Sequence, residues 1–159
     1  MQGITPFLWF VDDAQEAAKF YVSIFKGSKI VSNTNVKDTP SGTDTYVMEL
    51  MLHGTRFMLF KGGSAPGFDK FSPATSFVLR CETQEEIDYY WDRLLKGGTP
   101  MQCGWLTDRY GIAWQVTPTI LPKLLADPKN KKGSARATKA MLSMVKLDIK
   151  KLKAAYAGK

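Results

Sequence analysis

The stretch FYVSIFKG, residues 20–27, decides the fold because it returns 70 residues later as YWDRLLKG, residues 90–97. Both stretches carry an aromatic pair, two apolar residues and a Lys-Gly stop, a pattern typical of the end of an amphipathic helix. The same spacing relates PFLWF at 6–10 to SFVLR at 76–80, while GTRFML at 54–59 returns as GIAWQV at 111–116. An ordered set of matches indicates a duplicated structural unit.

Each copy begins with a strand and a helix and continues in strands. We predict helices at 14–25 and 84–95, and strands at 4–10, 29–35, 45–52, 55–61, 75–81, 103–107 and 112–117. The fold class is therefore α+β, with two βαβββ modules at about 1–63 and 74–118 that form one domain at 1–120. With 159 residues, 44% of them hydrophobic, the chain has the size of one globular domain.

The positive charge is confined to the end of the chain. The net charge is +7, but residues 1–120 hold 11 basic and 13 acidic residues, whereas 121–159 hold 11 basic and only 2 acidic ones. We predict that 121–159 is a basic extension with two short amphipathic helices. Its lysines edge those helices and are not interleaved with stacking aromatics, so nucleic-acid binding is not expected. A basic-tail interaction module stays open as an alternative.

Strand alternation assigns side chains to the two faces of each sheet. One class is large and apolar, as a face covered by helices requires: Phe7, Trp9, Phe57, Phe77, Leu79, Trp114 and Val116. The opposite class mixes apolar and polar groups, as a small-molecule cleft does: Pro6, Leu8, Phe10, Arg56, Met58, Phe60, Ser76, Val78, Arg80, Ala113, Gln115 and Thr117. We therefore predict that the second class lines a binding site.

Several strings carry a family resemblance. CGWLTDRYG at 103–111 and WQVTP at 114–118 are the most specific, and FSPATSF at 71–77, QEEID at 84–88 and AML at 140–142 add to them. Together they resemble the PhnB-like family described as 3-demethylubiquinone-9 3-methyltransferase, within the vicinal-oxygen-chelate superfamily of glyoxalase, bleomycin-resistance and dioxygenase folds. The resemblance implies paired modules and a homodimer, and it covers nearly the whole chain.

Superfamily enzymes of the glyoxalase type hold a metal on the first and last strand of each module. By the repeat, those positions are Pro6, Met58, Ser76 and Gln115, and none is His or Glu. His53, the single histidine, falls in a predicted hairpin turn. We expect no metal and no other cofactor, because a glycine-rich strand-to-helix turn for S-adenosylmethionine is missing as well. A metal enzyme with nonstandard ligands is the alternative.

The predicted function is metal-independent small-molecule binding, by a binding protein or an enzyme of unknown substrate. The predicted substrate-binding residues share the cleft class or the specific CGW string: Phe10, Arg56, Met58, Ser76, Trp105 and Gln115. Cys103 is either a reactive or an inert thiol, and Asp108 and Arg109 could pair across a turn. Two cysteines and the lack of a long apolar run or leader predict a cytoplasmic protein with no membrane partner.

Overall fold

The structure is a computed structural model that describes residues 3–37, 45–68 and 70–159. The chain divides into two compact units, the first ending at Lys70 and the second running from Phe71 to Lys159. The C-terminal extension thus belongs to the second unit. Residues 38–44, between the predicted strands at 29–35 and 45–52, lie outside the described residues.

The first unit contains β1 (Phe7–Phe10), α1 (Ala14–Ile24), β2 (Lys29–Val36), β3 (Thr45–Leu52) and β4 (Thr55–Lys61). Its sheet has the order β1-β4-β3-β2, with β1 and β4 parallel and the other neighbours antiparallel. Helix α1 buries residues at the predicted helical spacing: Ala14, Ala17, Ala18, Tyr21 and Ile24. These side chains cover one face of the sheet.

The second unit repeats this arrangement with shorter strands. It contains β5 (Ser76–Cys81), α2 (Gln84–Leu94), β6 (Thr99–Pro100), β7 (Trp105–Thr107) and β8 (Ala113–Pro118), in the sheet order β5-β8-β7-β6. The first and last strands are again parallel. The Thr83 side chain accepts a hydrogen bond from the Glu86 amide and caps α2, which buries Ile87, Trp91 and Leu94. The duplicated βαβββ organisation is therefore confirmed.

The predicted faces are right in the second sheet but wrong in β1. In the second sheet Phe77 lies beside Trp114 and Leu79 beside Val116, as predicted. In the first sheet Phe7 lies beside Met58 and Trp9 beside Phe60, so Phe7 and Trp9 share the face predicted for the cleft. The strand β1 is displaced by one residue relative to the repeat, and a shift of one residue exchanges the two faces of a strand.

The extension forms three helices, α3 (Leu121–Leu125), α4 (Lys131–Leu142) and α5 (Ile149–Ala157). Apolar side chains of these helices and of the segment between α4 and α5 make a small core of their own: Leu121, Leu124, Ala137, Leu147 and Leu152. The Asn130 and Asp148 side chains cap α4 and α5 by accepting amide hydrogen bonds. The prediction of helices with one apolar face each is confirmed, and α3 is added to them.

The turn before β7 joins the extension to the second sheet. The Cys103 amide donates to the Met144 carbonyl at 2.8 Å and the Gly104 amide to the Val145 carbonyl at 2.7 Å. Gly104 has φ +82°, and a Cβ there would lie 2.8 Å from the Val116 carbonyl oxygen. Only glycine fits this approach without a shift of the backbone behind it.

Candidate functional site

The open face of the second sheet, the side opposite α2, carries three of the six predicted site residues. Gln115 in β8 lies beside Val78 in β5 on one side and beside Trp105 in β7 on the other. The Gln115 side-chain amide donates to the Ser76 hydroxyl at 2.9 Å. Ser76, Gln115 and Trp105 thus form a line across three neighbouring strands, each of them half-buried.

This line combines groups that form hydrogen bonds with a ring that can stack. With one amide N–H of Gln115 donated to Ser76, Gln115 keeps its carbonyl oxygen as an acceptor and a second N–H as a donor, and the Ser76 hydroxyl keeps its own proton as a donor. The Trp105 indole adds a flat apolar surface next to them. The arrangement suits a ligand that combines a polar group with an aromatic or apolar body.

A groove of about 700 Å³ continues this face past Trp105. Its lining is apolar or uncharged: Pro73, Pro100, Met101, Gln102, Cys103, Trp105 and Val145. The Met101 amide donates to the Trp105 carbonyl at 2.8 Å and extends the pairing of β6 with β7. The volume lies within the range of ordinary ligand pockets.

Arg56 and Met58 lie in the first unit, on the face of β4 that also carries Phe60. Met58 stands between Phe7 of β1 and Glu49 of β3 in the sheet register. The Arg56 guanidinium forms an ion pair with the Glu49 carboxylate. Arg56 therefore has an anionic partner within its own sheet. An uncharged ligand would not need the positive charge of Arg56.

Phe10, the remaining predicted site residue, is only 4% exposed. It lies beside Lys61, three positions along β1 from the residue paired with Met58, and hence on the opposite face of the sheet. Its assignment to the cleft face is wrong. The cause is the one-residue displacement of β1, which places Phe10 on the side covered by α1.

An aromatic cluster on the first sheet was missed for the same reason. The Trp9 ring packs edge-on against Phe60 and tilted against Phe68, with both centroid distances at 4.7 Å. The Trp9 indole N–H donates to the Gly63 carbonyl at 2.9 Å, and a Cβ at Gly62 would overlap the Trp9 ring. The Gly62-Gly63 pair is the sequence signal for this close approach, because a Cβ at Gly62 would overlap the ring and Gly63 has φ +74°.

The positions at which the superfamily resemblance implies a metal do not provide a set of metal-binding side chains. In the first sheet the residue paired with Met58 is Phe7, and not Pro6. In the second sheet the residue paired with Gln115 is Val78, and Ser76 is a neighbour of both on the same face. Phenyl, isopropyl and thioether groups are not ligands for zinc or manganese. Among the described residues there is no group of three or more His, Cys, Asp or Glu side chains that could hold a metal ion. His53 lies in the exposed β3–β4 turn with φ +45°.

Asp108 has a structural role that the sequence did not reveal. The carboxylate is 3% exposed and accepts hydrogen bonds from the Tyr110 amide, the Ile112 amide and the Trp114 indole, at 2.9, 3.1 and 2.8 Å. Arg109 donates its Nε–H to the Lys96 carbonyl. The DRYG turn is thus closed by Asp108, and Arg109 reaches a different segment.

The two thiols lie in different surroundings. Cys81 is buried on the helix side of β5, and burial raises the pKa of its thiol to about 11. A thiol with so high a pKa is a poor nucleophile at neutral pH. Cys103 lines the groove, in a left-handed backbone conformation with φ +61°.

Comparison with known families decides the affiliation of this fold. The sequence profile of the family described as 3-demethylubiquinone-9 3-methyltransferase matches residues 2–117. The chain belongs to this family. The match ends before the extension, so the AML string at 140–142 lies beyond the matched residues. No curated protein matches the chain.

Solved structures of similar proteins share the fold of this family member. A PhnB protein from Bacillus cereus with the same methyltransferase description is 35% identical, with TM-score 0.66, over 74% of this chain and all of that one. A glyoxylase/bleomycin resistance protein/dioxygenase domain from Frankia is 18% identical, with TM-score 0.50, over 72% and 94%. The fosfomycin resistance protein FosX from Listeria monocytogenes is 15% identical, with TM-score 0.56, over 79% and 98%.

The strand-to-helix connections inside the two βαβββ modules of this family member carry no glycine. Residues 11–13 join β1 to α1, and residues 82–83 join β5 to α2. The phosphate- and nucleotide-binding turns of α/β sheets need glycine at this point for close backbone approach. None of the helices in the described part of the chain has the length and apolar character needed to span a membrane.

Proposed function

We propose that this protein binds an uncharged small molecule on the open face of its second sheet, without a metal ion. The observation that carries the proposal is the line formed by Ser76, Gln115 and Trp105. There a preset polar pair lies beside an indole ring and an uncharged groove. Ligand sites of this kind combine an apolar lining with a few placed polar groups.

The polar pair supplies orientation. A ligand hydroxyl or amide N–H would donate to the Gln115 carbonyl oxygen, and a ligand carbonyl would accept from the Ser76 hydroxyl. The hydrogen bond between the two side chains holds both in place before the ligand arrives, which lowers the entropy cost of binding. Phenols, quinones and similar oxygenated aromatic molecules have the matching chemistry.

Several other predictions made from the sequence remain part of this proposal. Met58 and Arg56 remain predicted ligand contacts of the first unit, although the ion pair with Glu49 gives Arg56 a partner already. The homodimer and the cytoplasmic location also remain predictions. Sedimentation velocity of the purified protein tests the dimer, since a single species at the monomer mass would contradict it.

A fluorescence titration tests the proposed site with N-phenyl-1-naphthylamine, an uncharged aromatic probe that fluoresces in apolar surroundings. We expect saturable binding that weakens at least tenfold in Trp105→Ala, because the variant removes the stacking surface. Phe68→Ala, which removes an exposed aromatic ring of the first unit, is the control and should bind as the wild type does. No saturable binding, or equal losses in both variants, would contradict the proposal.

Calorimetry with S-adenosylmethionine tests the activity that the family description names. The glycine-free connections at residues 11–13 and 82–83 predict no binding of this cofactor. Saturable binding with a stoichiometry near one would support the methyltransferase activity that the family description names and would overturn our assignment.

A further inference from the structure

We propose that residues 143–147 of the C-terminal extension determine ligand specificity, with Val145 acting as a wall of the groove that selects an uncharged, apolar group. This inference rests on the proposed function, since it concerns the same face of the second sheet. It gives the extension a role in the site, because the extension supplies a wall of the groove that the two βαβββ modules alone do not.

Backbone hydrogen bonds hold this segment against the sheet from one side. The Met144 and Val145 carbonyls accept from the Cys103 and Gly104 amides at 2.8 and 2.7 Å. The Gly104 carbonyl in turn accepts from the Val116 amide of β8 at 2.7 Å. The segment is therefore connected through the turn at Gly104 to the strand that carries Gln115.

Side chains of α2 hold the segment from the other side. Gln84 donates to the Leu147 carbonyl at 3.2 Å and accepts from the Ile149 amide at 2.9 Å, so one side chain holds the chain on both flanks of Asp148. Lys146 forms ion pairs with Asp88 and Asp92, at 2.9 and 3.3 Å.

Leu147 anchors the segment in the core of the extension and is fully buried. With contacts on both sides and this anchor, the position of Val145 is defined by packing and hydrogen bonds.

Val145 itself is free to meet a ligand. Its side chain is 40% exposed and lines the groove together with Trp105, Met101 and Cys103. The charged neighbour Lys146 is drawn to α2 by its two carboxylate partners, so the lining carries no charge. Such a surface favours an apolar or aromatic group and disfavours a charged one, because burial of an unpaired charge is costly.

The segment lies outside the part of the chain that the family shares. The family profile ends at residue 117, and the Bacillus cereus protein is covered completely by 74% of this chain. Specificity contributed by residues 143–147 would thus distinguish this protein from relatives that share only the two modules.

Titration with N-phenyl-1-naphthylamine separates this inference from the proposed function. We expect Val145→Asp to weaken binding at least tenfold and Val145→Ala about threefold, and Val145→Ile to restore wild-type affinity. Leu142→Asp is the matched control, because Leu142 is 59% exposed, lies in the same extension and is absent from the groove lining. It should bind the probe within twofold of the wild type.

The pattern of losses shows which claim fails. If the wild type binds no probe, the proposed function fails together with the inference. If Trp105→Ala loses affinity while Val145→Asp binds as the wild type does, the proposed function stands and the inference is overturned. Equal losses in Val145→Asp and Leu142→Asp also overturn it, since they would report the added charge and not the groove. Circular dichroism confirms that each variant is folded.

Discussion

Replacing Asp108 with alanine should destabilise the second unit strongly. The carboxylate is buried and accepts three hydrogen bonds, two from backbone amides and one from the Trp114 indole. Alanine removes the acceptor and leaves all three donors in place. The Ile112 amide and the Trp114 indole, whose hydrogen bonds to Asp108 are buried, then lose their acceptor inside the fold.

The size of the effect follows from the number of donors. A buried donor that loses its partner costs about 1–3 kcal/mol, and more when the lost partner was charged. With the Ile112 and Trp114 donors buried and the Tyr110 amide only partly buried, we expect a loss of about 3–5 kcal/mol in the free energy of unfolding. This value is a large fraction of the stability of an ordinary domain.

Urea unfolding followed by tryptophan fluorescence and circular dichroism measures this loss. Asp108→Asn is the control: its side-chain oxygen can keep the two amide bonds, but its NH₂ group meets the Trp114 N–H, so we expect a loss of about 1–3 kcal/mol. Trp114→Phe combined with Asp108→Asn should lose less than the sum of the two single changes. An Asp108→Ala variant within about 0.5 kcal/mol of the wild type would refute this account of the turn.

Two further predictions concern the extension and its junction. Gly104→Ala should destabilise the protein by about 1–3 kcal/mol more than Gly67→Ala. Both glycines have φ above +80°, but only a Cβ at Gly104 would meet backbone atoms. Equal midpoints of the two variants in thermal unfolding would contradict this. The Tyr156 hydroxyl donates to the Asp127 carboxylate at 2.5 Å and lowers the pKa of that carboxyl. The pair therefore stabilises the fold above pH ~4 and less as the pH falls through the lowered pKa. Tyr156→Phe should raise the pKa of Asp127 in an NMR titration, and an unchanged pKa would exclude the pair.

The repeat made the fold predictable, since helices tolerate an approximate register and strands do not. The apolar positions of α1 and α2 agree at the spacing of 70 residues, and both helices form as predicted. In β1 the repeat is displaced by one residue, and with a period of two that displacement exchanges buried and open side chains. Phe10 was therefore placed on the wrong face, while Ser76 and Gln115 in the undisplaced second copy were placed correctly.

Contacts between distant segments were the least predictable part of the site. The pairing of residues 144–145 with the turn at 103–104 uses backbone groups, which every residue has. No pattern of side chains in the sequence therefore predicts this pairing. The Asp108 network was hidden for a related reason, because Asp-Arg-Tyr-Gly is also ordinary turn chemistry at a surface. The basic character of the extension was visible, but its contribution of Val145 to the groove was not.

The most direct test of the proposed site is an NMR titration of ¹⁵N-labelled protein with N-phenyl-1-naphthylamine. The chain has four tryptophans, so four indole N–H signals report separately on the first sheet and on the second. We predict a saturable shift of the Trp105 indole and of the Gln115 side-chain amide, with little change for the Trp9 indole. A shift confined to Trp9, or no saturable shift in any of them, would contradict a ligand site on the open face of the second sheet.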